Sequence, residues 1–477
     1  MIDLQKKSVR VDALDALRGI AILGMIFSGT IPFDGSLPGW MYHAQEPPPK
    51  YHFNPNLAGI SWVDLVFPCF IFTLGAAISL ALSNRLDKKQ DLFEIIKGIF
   101  KRSVLLLSFA FITQHFRPLV INPEPGKYTW SLALLGYFLL FLMYVKLPKY
   151  CPKKLQYLVT IIGWSGGIFL LSRLKYLADS KYPRFSLYRS DIILLLLADI
   201  VFFTSLIWLF TRKKPLIRLL ILIPLSALII SFNDGGWNTQ FLKNLPFPWL
   251  FNFDYLKYLF IALPATVVGD WLVQWSKETG DQRKTRWKSP VLAVLITLLI
   301  SLVFVVLYGL YTRQFVLMII LLIFLGMAGF VLARNPGNST EILINQLYGW
   351  GIYCLGIGLA FEPLQGGIKK DSPTFSYFFV SMSLAIFLLM VFMIMINLLK
   401  TDSLLSILIN NGQNPMLAYV SFGNLLWPIL SLNHWEEAIA QWIHGNALLG
   451  ITKGIIYTLI VALWTSLCTR LRLFWKT

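Results

Sequence analysis

Apolar runs of about twenty residues recur along the whole chain, parted by short polar and basic connections. A helix of that length crosses a hydrocarbon core of about 30 Å. The pattern predicts spans near 14–33, 62–83, 99–115, 128–147, 156–172, 190–211, 215–232, 256–275, 290–308, 313–333, 342–361, 374–399, 411–430 and 447–468. The period-2 alternation of a membrane barrel is missing. The expected fold is all-α. It is a polytopic membrane helix bundle of about 14 transmembrane helices, with a range of about 10–14. Residues 1–477 form one integral membrane domain in this reading.

An even number of spans puts both termini on one side. Lys6, Lys7 and Arg10 precede the first span, and Lys146 to Lys154, Arg212 to Lys214, Lys277 to Lys288, Arg334, Arg470 and Arg472 fall on the same side. The positive-inside bias makes that side cytoplasmic. Residues 173–189 break the rule, with Arg173, Lys175, Lys181, Arg184 and Arg189 against one Asp179. Either the span at 156–172 is miscounted, or this outer loop uses its charge on an anionic sugar or a phosphate-bearing cofactor. All five histidines (His43, His52, His115, His434 and His444) fall on or beside the outer face. Histidine is the side chain best placed to move protons near neutral pH.

Composition agrees with a membrane chain. Charged residues make up 14%, against about 25% in soluble proteins. The net charge of +18 sits at span ends and forms no basic stripe interleaved with aromatics, so no nucleic-acid partner is expected. The four cysteines lack metal or redox spacing, and no metal is expected. No A-x-A-like site follows the first span, so it is expected to stay as a helix.

The most site-like stretch is 40–75. A polar loop carries His43, Glu46, Pro47, Pro48, Pro49, His52 and Asn54, and Trp62 to Pro68 then sets Asp64 at the mouth of an apolar helix. The proline run favours an extended segment. It would fix His43 relative to His52, or serve only as a spacer. Asp15 and Arg18 are three apart and share a helix face at the start of the first span. Asp199 is the one carboxylate near the middle of a span, which is costly and marks either function or a buried partner. Asp270 reads as an interface residue. Lys369 and Lys370 are expected outside, as substrate or phosphate contacts or as an ordinary basic pair. Asn410, Asn411, Gln413 and Asn414 interrupt the thirteenth span and could form a protein-lined turn.

Three motifs carry a resemblance. They are Leu14-Asp15-Ala16-Leu17-Arg18-Gly19, the His43-Ala44 dipeptide, and Asp64-Leu65-Val66-Phe67-Pro68. In this order and spacing they resemble the heparan-α-glucosaminide N-acetyltransferase family, especially its bacterial, DUF5009-like relatives. Weaker similarities continue at Asn252-Phe253-Asp254, at Ile368 to Tyr377 and at Asn411-Gly412-Gln413-Asn414. Spans six, seven, ten and eleven look like additions to a ten-helix core. TWSLALLG stands where the family has an Arg-Ile segment, and Ser28-Gly29-Thr30 where many relatives carry an Asn. The acyltransferase-3 group places a histidine eleven residues after its first-helix Arg, and here that position is Gly29.

The resemblance implies acetyl-CoA as donor and an amino sugar or other glycan as acceptor, outside the cytoplasm of a bacterial inner membrane. His43 is the expected base, or the carrier of an acetyl-imidazole. Asp64 is expected to orient it, with Glu46 or His52 as substitutes. Glu46, His52, Asn54, Lys369, Lys370 and Asn414 are the expected substrate contacts, and Asp15 and Arg18 the helix-start pair. Membrane lipid is an expected partner, and a homodimer is left open. A carrier of a cell-envelope substrate and an inactive scaffold are the competing readings. Against a carrier, neither an inverted repeat nor paired broken helices are visible.

Overall fold

The computed structural model describes residues 10–177, 181–244, 247, 249–278 and 285–476. Among them, eleven helices are long and apolar enough to cross a membrane, each on a predicted span. The remaining three predicted spans fall on the helices Asp12–Ser28, Leu92–His115 and Lys127–Tyr144. The first has only 17 residues, the second holds Lys101 and Arg102, and the third opens on Lys127. Sheet among the described residues is one short antiparallel pair, Val145–Lys146 against Phe474–Trp475. The protein is an all-α polytopic bundle.

Four spans form the centre. Trp62–Asp87, Ile192–Thr211, Phe253–Lys277 and Phe375–Leu398 have 67–83% of their apolar stretch enclosed by protein. Lys153–Arg173, Pro215–Phe232, Phe315–Leu332 and Ala447–Arg470 have only 22–28% enclosed, so they form the outer ring. A helix that is apolar all round belongs in a core or a membrane, and the central ones are in both. The Ile192 helix, the sixth span, therefore sits at the centre of this bundle.

Small residues set the closest approaches. A Cβ on Gly75 would overlap the carbonyl of Ala262, and one on Gly269 that of Ala76. The Trp62 and Leu259 helices thus pack backbone to backbone, as small residues allow in membranes. Gly19 meets the Leu408 carbonyl and Gly412 meets that of Asp15, which joins the first helix to Ser406–Gln413.

The thirteenth span is interrupted as its polar start suggests. Ser406–Gln413 ends, Asn414 leaves helical geometry, and Pro415–Ser421 begins a new helix that runs through a π turn at Phe422–Leu426. The amide nitrogens there find protein partners, while Asn411 Oδ1 has none among the described residues. Asn410 donates to Ser466, Asn411 to the Ala462 carbonyl, and Asn414 to the Leu473 carbonyl.

The connections sort into two faces. One joins the His43 loop to 362–374 through Gly59 N–H to Ile368 O, and to Gly445 through Asp34. Loop 174–191 belongs to this face, since Leu177 bonds to Ile121 and Arg117 pairs with Asp191. Asp179 lies outside the described residues. The other face holds Arg10, Asp15, the Lys277–Asp87 pair and the strand pair.

Candidate active site

Asp64 builds the site through its place at the start of the Trp62 helix. Ser61 is the N-cap, and Ser61 and Asp64 form a capping box. Two donors of a helix start are satisfied reciprocally this way. One carboxylate oxygen, Oδ2, accepts the Ser61 N–H at 2.9 Å and the Ala44 N–H at 3.1 Å. The other, Oδ1, lies 2.7 Å from His43 Nδ1. Asp64 is only 2% exposed and the His43 side chain 34%. An ionised carboxylate only accepts. His43 Nδ1 must then donate, which leaves Nε2 as the acceptor nitrogen of the ring.

Lys370 closes the other side of the ring. Its Nζ lies 3.2 Å from His43 Nδ1 and 3.4 Å from Nε2. Gln45 fixes the segment that carries it. The Asp371 N–H donates to Gln45 Oε1 at 2.8 Å, and Gln45 Nε2 donates back to the Asp371 carbonyl. Residues 327 apart in sequence are thus locked together by one buried amide.

The other expected site residues separate. Glu46 is half-buried and closes a turn on the His43 carbonyl through its N–H. His52 and Asn54 are exposed, and Asn54 caps its own turn at Asn56. Lys369 is bound through its backbone to Thr374. Asn414 is on the opposite face, holding Leu473 and Trp475. Asp15 and Arg18 do pair, at 3.2 Å, and Arg18 also donates to the Thr73 and Gly412 carbonyls. Asp270 accepts from the fully buried Arg218 and from Trp208. Asp199 is buried, and its Oδ2 has no hydrogen-bond partner among the described residues. His115 is a satisfied core histidine that bonds to Phe111 O and accepts the Ser186 N–H.

His43 and Lys370 line a chamber of about 260 Å³. It shares Met25, Phe67 and Ile193 with a constriction of only about 10 Å³. The constriction shares Phe70, Leu197, Pro415 and Met416 with a cavity of about 190 Å³ beside Arg18 and Arg102. That cavity shares Arg18 and Ala77 with a chamber of about 490 Å³ lined by Arg10, Arg85 and Lys88. Four spaces therefore adjoin one another through shared wall residues, from a cationic mouth on one face to His43 on the other. Arg18 and Ser28, which flank this route on the first helix, are ten residues or about 15 Å apart.

Residues 10–272 match the family described as "Domain of unknown function (DUF5009)". The chain belongs to the DUF5009 family. The matched part holds His43, Asp64, spans one to seven and most of the eighth, so the sixth and seventh spans lie within the family's own extent. This DUF5009 chain is also 28% identical over 124 residues to human heparan-alpha-glucosaminide N-acetyltransferase. That match covers 26% of the chain and 16% of the human protein.

Sequence reasoning missed three residues of the DUF5009 site. Ser61 was visible as the N-cap type three residues before Asp64. Gln45 and Tyr377 act through backbone groups far away in sequence and carry no local signal. Tyr377 donates to the Asp64 carbonyl at 2.8 Å.

Proposed function

We propose that the protein is a membrane acyltransferase that moves an acetyl group from acetyl-CoA to the amino group of an amino sugar or related glycan. The observation that carries this reading is the His43 ring held between Asp64 and Lys370 at one end of the cavity series. The cationic mouth suits a polyphosphate such as the CoA nucleotide, and the thin apolar passage suits a narrow, linear arm. The β-alanine–cysteamine end of pantetheine is of that kind, and its thioester would reach the His43 chamber. The face with the basic connections is then cytoplasmic, and transfer takes place on the other side.

The chemistry needs a base for the amine proton and a donor for the developing oxyanion. His43 Nε2 supplies the first and the Lys370 ammonium the second. Asp64 holds the ring in the required tautomer. In direct transfer, the amine nitrogen bonds to the acetyl carbon, the carbon–sulfur bond breaks, and the proton passes through His43 to the CoA sulfur. In the two-step form His43 Nε2 bonds to the acetyl carbon as the carbon–sulfur bond breaks and CoA leaves as the thiolate. The amine nitrogen then bonds to that carbon as the Nε2–carbon bond breaks, and the amine proton passes through Nε2 to the CoA sulfur.

Purified protein with radiolabelled acetyl-CoA and a panel of amino sugars and envelope glycans tests the proposal. Label should reach an acceptor with wild type and not with His43→Ala. Transfer that survives in the variant would remove His43 from the mechanism. A protein that neither binds CoA nor consumes acetyl-CoA would be a carrier or scaffold. Acid quench of the enzyme without acceptor separates the two routes, since only the two-step form leaves label on His43.

A further inference from the structure

A separate space, outside the series that leads to His43, lies on the flank of the bundle. It is a groove of about 340 Å³ between Pro215–Phe232 and Ser339–Phe361, lined almost wholly by apolar side chains such as Ile223, Ile230, Phe260, Phe361 and Phe375. Its lining comes from membrane-spanning segments, so hydrocarbon is its natural content. Its outer end is defined by chain geometry. Phe361 closes one helix and Phe375 opens the next, and loop 362–374 joins them on the His43 face.

The same loop is the rim of the His43 chamber. Lys370 reaches His43 from it, and Lys369 stands one residue away with no acidic partner among the described residues. The Lys369 ammonium rests close over Gly366, within the loop. A run of aromatic rings links groove and chamber, edge-on at one contact and stacked at the next. Tyr258, which lines the chamber, is 5.4 Å from Phe378, and Phe378 is 6.0 Å from Phe260 in the groove. An apolar slot, a cation and a reactive histidine thus follow one another around a single loop.

We infer that the acceptor is a lipid-linked amino sugar, with its hydrocarbon tail in this groove, its phosphate at Lys369 and its sugar in the His43 chamber. The inference rests on the acetyl-transfer reading. A water-soluble sugar gains nothing from the groove or the cation. A tail anchored in the groove makes the sugar's arrival an intramolecular event and raises its effective concentration. The amine nitrogen bonds to the acetyl carbon, the acetyl–sulfur bond breaks, and the amine proton ends on CoA.

The test compares two acceptors that carry the same sugar, free glucosamine and polyprenyl-phosphate glucosamine, with the full chain in lipid nanodiscs and radiolabelled acetyl-CoA. Wild type should favour the lipid-linked acceptor by about a hundredfold in kcat/KM. Ser226→Trp fills the groove and should erase that preference while leaving transfer to free glucosamine unchanged, which shows that the fold and the chemistry survive. Lys369→Gln should lower the lipid-linked rate. Equal kcat/KM for both acceptors in wild type would overturn the inference. So would a preference that survives both variants, which would make the groove a seat for bulk lipid. Either result leaves acetyl transfer standing. Transfer to neither acceptor, with acetyl-CoA untouched, removes the acetyl-transfer reading and this inference with it.

Discussion

The hydroxyl of Tyr377 donates to the backbone carbonyl of Asp64 at 2.8 Å, across 313 residues of chain. Proline explains why the carbonyl is free. In a helix the Asp64 carbonyl would accept the N–H of residue 68, and Pro68 has none. The Asp-Leu-Val-Phe-Pro block therefore does two things. Its acid orients His43, and its proline exposes a carbonyl that Tyr377 clamps.

Tyr377→Phe leaves that buried carbonyl unpaired and should cost about 1–3 kcal/mol. Thermal unfolding would show it, with a fall in turnover as Asp64 loosens. Pro68→Ala supplies the missing N–H, so the double variant should recover part of the loss. Strictly additive losses would mean that the two groups do not share the carbonyl.

Asp64→Asn keeps the size of the side chain but not its acceptor-only character. His43 would no longer be held with its proton on Nδ1. Acetyl transfer should fall by about 10³–10⁴-fold, as in other carboxylate–imidazole pairs, and CoA affinity should hold. A mild effect on kcat would show that Asp64 serves only as a helix cap.

Lys370→Met removes the ammonium beside His43. Turnover should drop by about 10²–10³-fold if it donates to the oxyanion. The effect should appear in kcat and not in KM for CoA, because the proposed nucleotide site is at the other mouth. A change confined to KM would make Lys370 a binding group instead.

Gly412→Ala and Gly19→Ala each push a methyl group into a backbone carbonyl of the facing helix. Overpacking of this kind costs about 1–3 kcal/mol. Both variants should lower the unfolding temperature, and Gly19→Ala should also disturb Arg18 and weaken CoA binding. Ala in place of Gly349, which has open space around it, is the control and should change neither.

CoA binding should depend on pH through Lys476. Burial, followed by the neighbouring Lys146, pushes this lysine down to about 8, and Arg85 of the cationic chamber adds to the effect. A bound polyphosphate favours the charged lysine and raises its pKa. Below 8 the lysine is already charged, and affinity should stay level. Above 8 the free protein loses that proton and must regain it on binding, so affinity should fall from pH 8 to 9.5. Calorimetry in buffers of different ionisation heat would detect the proton uptake. Lys476→Met should flatten the profile.

The sequence made the spans legible because each is a long apolar run with charged ends. The His43–Asp64 pair was legible too, since a short loop and a helix start can meet only near the same face. Lys370 was visible as a charge on the correct side but not as a neighbour of His43. That meeting depends on how the Phe375 helix packs beside the Trp62 helix, and no local pattern encodes it. Asn414 was misleading for a related reason. Its polarity marks a break in a span, and the break serves the strand at Trp475 rather than the chamber.

The constriction near Phe70 also has an electrical meaning. At about 10 Å³ it is at the lower limit of the space that holds one water, and apolar walls give an ion no substitute for its hydration shell. Two chambers approach each other from opposite faces without short-circuiting the membrane between them. Under the proposed transfer the arriving arm is also the stopper: the seal is displaced only by the molecule that fills it, so an acyl group would cross while the membrane's voltage is kept.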